Sequence, residues 1–225
     1  MKKHLLLIFF ALIVAAGNAQ LLPKAGLSMA TTSSTETSGS TLKEKLKAGF
    51  VVGAGYNIQL GNFAIQPELL FIQKGSEQER SYSYGPYAVM QTTKLTLNYL
   101  ELPVLFKYFF GPDALRFYAQ FGPSFAVGLG GSGSYQFTED LGNGPVRISS
   151  DVKVKFESRP VDYNGYDKYY IEKKTDTGLQ LGGGVVVAKR IVADVRYGLG
   201  FTDWGNEETT KNRALQISVG ILIGR

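Results

Sequence analysis

The chain has 225 residues, 27 of them glycine, with 14 phenylalanines, 13 tyrosines, no cysteine and a formal net charge of +5. That length suits one domain, and the lack of cysteine excludes a disulfide scaffold and a thiolate metal site. The positive charge is too small to point to nucleic acid, and two of its contributors, Lys2 and Lys3, belong to a leader.

The chain begins "MKKHLLLIFFALIVAAGNAQ". Lys2 and Lys3 form a basic start, Leu5 to Ala16 an apolar stretch, and Gly17-Asn18-Ala19 a small-residue end. This is the pattern of a secretory signal peptide over residues 1–19, with cleavage after Ala19 and a mature domain over 20–225. The stretch is short for a helix crossing a bilayer, which needs about 20 residues, and Pro23 follows closely. Removing the leader leaves a formal charge of +3. No later stretch approaches the ~18 apolar residues of a transmembrane helix. A membrane β-barrel stays open, because its strands need only about 9–11 residues.

Eight strands are predicted, over 23–30, 46–58, 62–74, 93–109, 115–128, 176–188, 191–202 and 213–223. The second sets Phe50, Val52, Ala54, Tyr56 and Ile58 against a face of glycines and Asn57. The third sets Phe63, Ile65, Leu69 and Phe71 against Gln66, Glu68 and Lys74. In the fourth, Leu100, Leu102, Val104, Phe106 and Tyr108 share one face, and Glu101, Leu105 and Lys107 the other. Leu95 and Leu97 fall on the opposite parity from that apolar face, which predicts either a bulge near Asn98 or a strand end projecting past the bilayer. The fifth alternates Leu115, Phe117, Ala119 and Phe121 with Arg116, Tyr118 and Gln120. The seventh alternates Ala193, Val195 and Tyr197 with Asp194 and Arg196; the eighth alternates Leu215, Ile217 and Val219 with Gln216 and Ser218.

The connections alternate in length. Segments 31–45, 75–92, 129–175 and 203–212 read as long and polar, whereas 59–61, 110–114 and 189–190 are short. Outer-membrane barrels have short periplasmic turns and longer external loops. The expected fold is therefore all-β: an eight-stranded antiparallel up-and-down transmembrane β-barrel of outer-membrane type, with both ends of the chain on the periplasmic side.

Alternation alone does not assign inside and outside; size does. An eight-stranded barrel has an interior just wide enough for side chains. The large apolar faces are expected to meet lipid, through Phe117, Phe121, Val195, Tyr197, Leu215, Ile217 and Val219 among others. The glycine-rich polar faces are expected to fill the middle. Tyr56, Tyr99, Tyr108, Tyr197 and Trp204 are placed near strand ends, where aromatic girdles form. Glu68, Glu101, Lys107, Arg116, Asp194 and Arg196 then point inward, three acids against three bases. Buried charges are costly alone, so they should pair across the lumen and plug it.

The segment "SRPVDYNGYDKYYIEKKTD" places Tyr163, Tyr166, Tyr169 and Tyr170 among charges. They read either as external contacts for a surface ligand or as the aromatics of a hairpin continuing past the membrane. Asp162, Asp167, Glu172 and Asp176 lie in the same region, and a solvated acidic loop is favoured there over a cation site.

Several stretches together resemble a known family: "KAGLSMA" at 24–30, "FAIQPELLFIQKG" at 63–75, "NYLELPVLFKYFF" at 98–110, "FYAQFGPSFAVGLG" at 117–130, "LGGGVVVAKRIVADVRYGLGFTD" at 181–203 and "ALQISVGILIG" at the end. The chain is similar to the Bacteroidetes outer-membrane β-barrel domain proteins called PorT-like. The resemblance implies an exported eight-stranded barrel in the outer membrane and little about activity. The last residue, Arg225, departs from the aromatic that often ends such barrels.

The only histidine, His4, lies in the leader. Histidine triads, thiol nucleophiles and the common zinc sites are thereby excluded from the mature chain. "GLGGSGS" and "GNGP" lack the Lys–Ser/Thr pair of a phosphate loop. No cofactor is expected. The expected function is a non-enzymatic outer-membrane barrel with a structural or surface-interaction role. A transport or secretion accessory, or a narrow channel, is the alternative; a lipid-modifying barrel enzyme is weaker still. The expected partners are outer-membrane lipid and an unidentified surface or secretion protein, with the barrel itself monomeric.

Overall fold

A computed structural model describes residues 19–34, 41–84, 87–112, 114–140, 144–160, 165, 167–203 and 210–224. Residues 1–18 of the expected leader, together with Tyr163, Tyr166 and Trp204, lie outside this set.

The described chain is built from strands: β1 (Ala19–Ser34), β2 (Thr41–Lys45), β3 (Lys47–Leu60), β4 (Phe63–Tyr84), β5 (Tyr87–Phe110), β6 (Leu115–Asp140), β7 (Pro145–Lys155), β8 (Lys168–Tyr170), β9 (Thr175–Val187), β10 (Ile191–Gly200) and β11 (Thr210–Ile221). Eight of them close a ring of antiparallel ladders, in the order β1-β3-β4-β5-β6-β9-β10-β11. The closing seam joins β1 to β11, from Lys24 opposite Gly220 to Ser34 opposite Thr210. A closed ring leaves no unpaired edge in its wall, which hydrocarbon demands. The fold is the expected eight-stranded antiparallel transmembrane barrel.

Three tight turns mark one end. Gly61 and Asn62 join β3 to β4, with Gly61 at φ +64°. Between β9 and β10, Ala188 and Lys189 both take positive φ, 50° and 60°, and Arg190 N donates to Val187 O at 3.1 Å. Two left-handed residues in a row match the twist of the flanking strands.

The opposite end differs from expectation. Segment 75–92 reads as a polar loop, yet β4 and β5 remain laddered to Tyr84 opposite Tyr87. β6 likewise runs on to Asp140 and turns back as β7. β2 pairs with β4, and β8 with β7. A sheet therefore rises beyond the closed ring in the order β2-β4-β5-β6-β7-β8. The barrel wall templates these polar strands, and their backbone groups pair as the ladder extends.

β5 carries no bulge near Asn98. Its odd positions from Leu95 to Phe109 all face inward without interruption. The extra residue sits across from it in β6, where Asn98 faces Gly130 and Tyr99 faces Gly128, leaving Leu129 over. Gly130 supplies the φ of +137° at this bulge. Leu95 and Leu97 thus point into an apolar cluster at the loop end.

Candidate functional site

The lumen is stacked in layers. Next to the turns, Leu22, Phe109, Tyr118, Val186 and Val192 form an apolar floor. A vestibule of about 220 Å³ on the turn side, lined by Arg116 and Lys189 among others, ends on Phe109, Val186 and Leu222 of that floor.

Above the floor lies a charged layer. Arg196 (β10) grips Glu68 (β4) with both guanidinium nitrogens, at 2.7 and 3.1 Å. The same guanidinium reaches Asp194 at 3.3 Å and donates to Gln180 Oε1 at 3.1 Å. Lys24 of β1 lies 2.7 Å from Asp194 and 3.4 Å from Glu68. Gln66 donates to Glu68, and Ser218 Oγ donates to Asp194 at 3.0 Å. Arg196 is 1% exposed, so the whole group is cut off from solvent. Room for it comes from β9: a Cβ on Gly182 would sit 2.8 Å from Cβ of Arg196.

Nearer the loop end stands a second charged group. Lys74 lies 3.2 Å from Glu101 and 3.7 Å from Asp176. Gln180 links the groups, donating to Glu101 at 2.6 Å, and Asn212 donates to Asp176 at 2.9 Å. The cavity beside Lys74 and Glu101 measures about 10 Å³, about the space one water needs.

Over this group the chain closes the mouth from the β4–β6 side. Leu70, Ile72, Leu95, Leu97, Val154 and Ile171 cluster with Phe156 and Tyr169. Phe156, just past β7, folds back so that its ring lies 5.3 Å from that of Tyr99. It lies where a side chain on residue 128 would stand, since a Cβ on Gly128 would come within 2.6 Å of the ring. Ile171 N donates to Lys155 O at 2.8 Å, pinning the returning segment.

Of the six residues expected inside, Glu68, Glu101, Asp194 and Arg196 belong to these ion pairs. Lys107 is buried too, but makes no ion pair among the described residues; its ammonium sits 4.1 Å above the Tyr118 ring. Arg116 stands apart. It faces the lumen at the turn end, half-buried, with its guanidinium 4.8 Å from the Phe109 ring. Lys24, Lys74 and Asp176 complete the interior instead, giving four acids and four bases among the buried described residues. Lys24 shares its parity with Gly26 and Ser28, so the pattern of the first strand carries that signal. Asp176, grouped by the sequence with loop acids, is 5% exposed and points inward. Among the described residues, no group of three potential metal ligands forms.

The outer surface carries the large apolar side chains. Phe117, Phe121, Val195, Tyr197, Ile217 and Val219 are 39 to 60% exposed, and Leu215 is half-buried. Toward the turns, outward aromatics associate across strands, Phe63 with Tyr108 at 5.0 Å and Phe110 with Phe117 at 6.0 Å. Tyr56, Tyr108 and Tyr197 share this exposed surface. Tyr99 does not: it is 1% exposed inside the barrel, where Asn212 donates to its hydroxyl at 3.4 Å.

Tyr169 and Tyr170 lie in β8. The Tyr169 ring is 6.4 Å from that of Tyr135, and Tyr170 is buried. Burial pushes the phenols of both Tyr135 and Tyr169 above their ordinary range. These two tyrosines pack the raised sheet.

No curated protein matches the chain. Among solved structures, the chain is similar to Ail, the attachment invasion locus protein of Yersinia pestis, at 11% identity and a TM-score of 0.44, covering 92% of this chain and 99% of that one. It is also similar to the Neisserial surface protein NspA, at 12% identity and a TM-score of 0.42, over 90% and 97% of the two chains. The N-terminal β-barrel domain of Pseudomonas aeruginosa OprF matches at 10% identity and a TM-score of 0.31, over 89% and 97%. Residues 15–205 match the family described as outer membrane protein beta-barrel domain. With a closed ring of eight strands and most of its length inside that match, the chain belongs to the outer-membrane β-barrel domain family.

Proposed function

We propose that this protein is a non-enzymatic, non-conducting barrel that anchors an interaction surface in the outer membrane. The leader over 1–19 exports it, and the barrel inserts as a monomer with its turns in the periplasm. The raised sheet then stands outside the cell as the working surface. The finer kinship with PorT-like proteins belongs to this reading and rests on the strand sequences quoted above; no secretion role is carried over with it.

The observation that carries the proposal is the filled lumen. Ion-paired side chains from β1, β4, β5, β9 and β10 occupy the middle, with apolar side chains packed on both sides of them. An open pore would require breaking Arg196–Glu68 and Lys24–Asp194 together and displacing the apolar side chains packed on both sides of them.

Reconstitution into planar lipid bilayers tests it. The purified barrel is expected to give no stable single-channel steps. A large, long-lived conductance would replace this reading with the channel alternative. Protease added outside intact cells is expected to cut within 156–167 while the barrel stays in the membrane; protection of that segment would reverse the orientation.

A further inference from the structure

Among the described residues, half of β7 meets no partner strand along one edge. On one side the strand is laddered to β6 from Pro145 to Val154. On the other side β8 pairs only with Lys153, Val154 and Lys155. Lys153 N donates to Asp167 O, and Lys155 O accepts from Ile171 N. Those two bonds set the phase of the edge. In an antiparallel ladder, alternate residues turn both backbone groups to the same side. Arg147, Ser149 and Asp151 therefore aim N–H and C=O away from β6, and among the described residues no strand meets them. Residues 145–151 are all exposed, with Val146 at 53% and Ile148 at 61%. An edge like this is a template for another strand.

Its sequence, "PVRISSDVKVK", is complementary to itself. Antiparallel pairing about Ser149 brings Ser149 opposite Ser149, and Arg147 of each strand opposite Asp151 of the other. All of these residues present outward backbone groups, so the ladder is continuous. Opposite charges directly across a ladder stabilise it and like charges oppose it. On the second face, Ile148 meets Ser150, both exposed, and Val146 comes beside Val152, which is already buried. Neighbouring registers are worse. Centring on Ile148 sets Asp151 against Pro145, which has no N–H to give. Centring on Ser150 sets Arg147 against Lys153, whose N–H is already committed to Asp167; each of these registers keeps two rungs, whereas the ladder about Ser149 keeps three and ends where Pro145 would reach Lys153.

The sense of the pairing also fixes where the second copy stands. β7 continues a wall whose strands cross the membrane, and it descends toward the barrel. An antiparallel partner must ascend, and the two-fold axis relating the strands passes through the sheet, across the barrel axis. The second barrel then points the opposite way. We propose that the β7 edge pairs about Ser149 with β7 of a second copy in an apposed membrane, joining two outer membranes in trans.

The inference rests on the external placement of the raised sheet in a non-conducting barrel. Its test uses the full mature chain in phosphatidylcholine vesicles loaded with a small dye, with clustering read by light scattering. Wild-type vesicles are expected to cluster. Arg147→Asp vesicles and Asp151→Arg vesicles, each alone, are expected to scatter like protein-free vesicles. Mixing the two restores clustering, because each Asp then meets an Arg, and the double variant R147D/D151R clusters by itself. Heat-modifiable migration on gels confirms that each variant is folded. Wild-type vesicles that stay dispersed, single variants that cluster normally, or a mixture that stays dispersed would each overturn the pairing. Dye leakage separates the two readings: leaky vesicles count against the non-conducting anchor, whereas tight vesicles that never cluster count against the edge pairing alone.

Discussion

Arg196 touches both acids of the lower charged layer and the carbonyl of Gln180. Removing one partner from such a buried group typically costs about 3–5 kcal/mol, mostly through the charge left behind. Arg196→Ala is expected to lower unfolding stability in detergent by that amount, read by circular dichroism across a urea series. Replacing both Arg196 and Glu68 by glutamine is expected to cost less than Arg196→Ala, because Lys24 and Asp194 still pair and no further carboxylate is left without its cation. The residues of this layer were partly legible in the sequence. Strict alternation put Glu68, Glu101, Asp194 and Arg196 on inward faces. It did not give height along the barrel, which is why Arg116, on the right parity, lies at the turn end beside Phe109 rather than in the layer. Lys74 was legible as inward-facing, but its place near the predicted strand end concealed its pairing with Glu101.

At the scale of the element, the lengths of β4, β5 and β6 were the least legible feature. Residues 75–92 are rich in Ser, Tyr, Glu and Gln and show no run of alternating aliphatic residues. They form strands because the barrel below supplies a template and Leu95 and Leu97 supply an inward core. The fold-back of Phe156 was also hidden, since only a glycine twenty-eight positions upstream, at 128, prepares its seat. Phe→Ala at a fully buried site costs about 3–5 kcal/mol. Phe156 is half-buried, so Phe156→Ala is expected to loosen the returning segment by about 2 kcal/mol, below that range. Faster protease cleavage within 157–167, with unchanged heat-modifiable migration of the barrel, would mark the effect as local. Equal cleavage of variant and wild type would show that the ring does not hold the segment.

At the scale of the molecule, the exposed apolar belt is the counterpart of the filled lumen. The chain has no cysteine, so a single introduced cysteine takes a nitroxide label at one chosen point. Labels at Phe117→Cys, Val195→Cys and Ile217→Cys in lipid vesicles are expected to relax with oxygen and to ignore a water-soluble nickel complex; the reverse would place those faces in water. The closed barrel, its strand order and the outward parity of the large apolar side chains were readable from a period of two, because successive side chains of a strand point to opposite faces. The Lys24–Asp194 contact joins positions 170 apart in the chain, one of them on β1 at the seam. While the seam gapes, Lys24 loses the nearer of its two carboxylates, keeping only Glu68 at 3.4 Å, and Asp194 has lost one of its two cations. Sealing the cylinder and completing its ion-pair network are therefore a single step, and a half-built intermediate would carry under-paired charges toward the acyl chains. Biogenesis of this barrel should accordingly be all-or-none, with the last strand zipped to the first before the assembly machinery lets go.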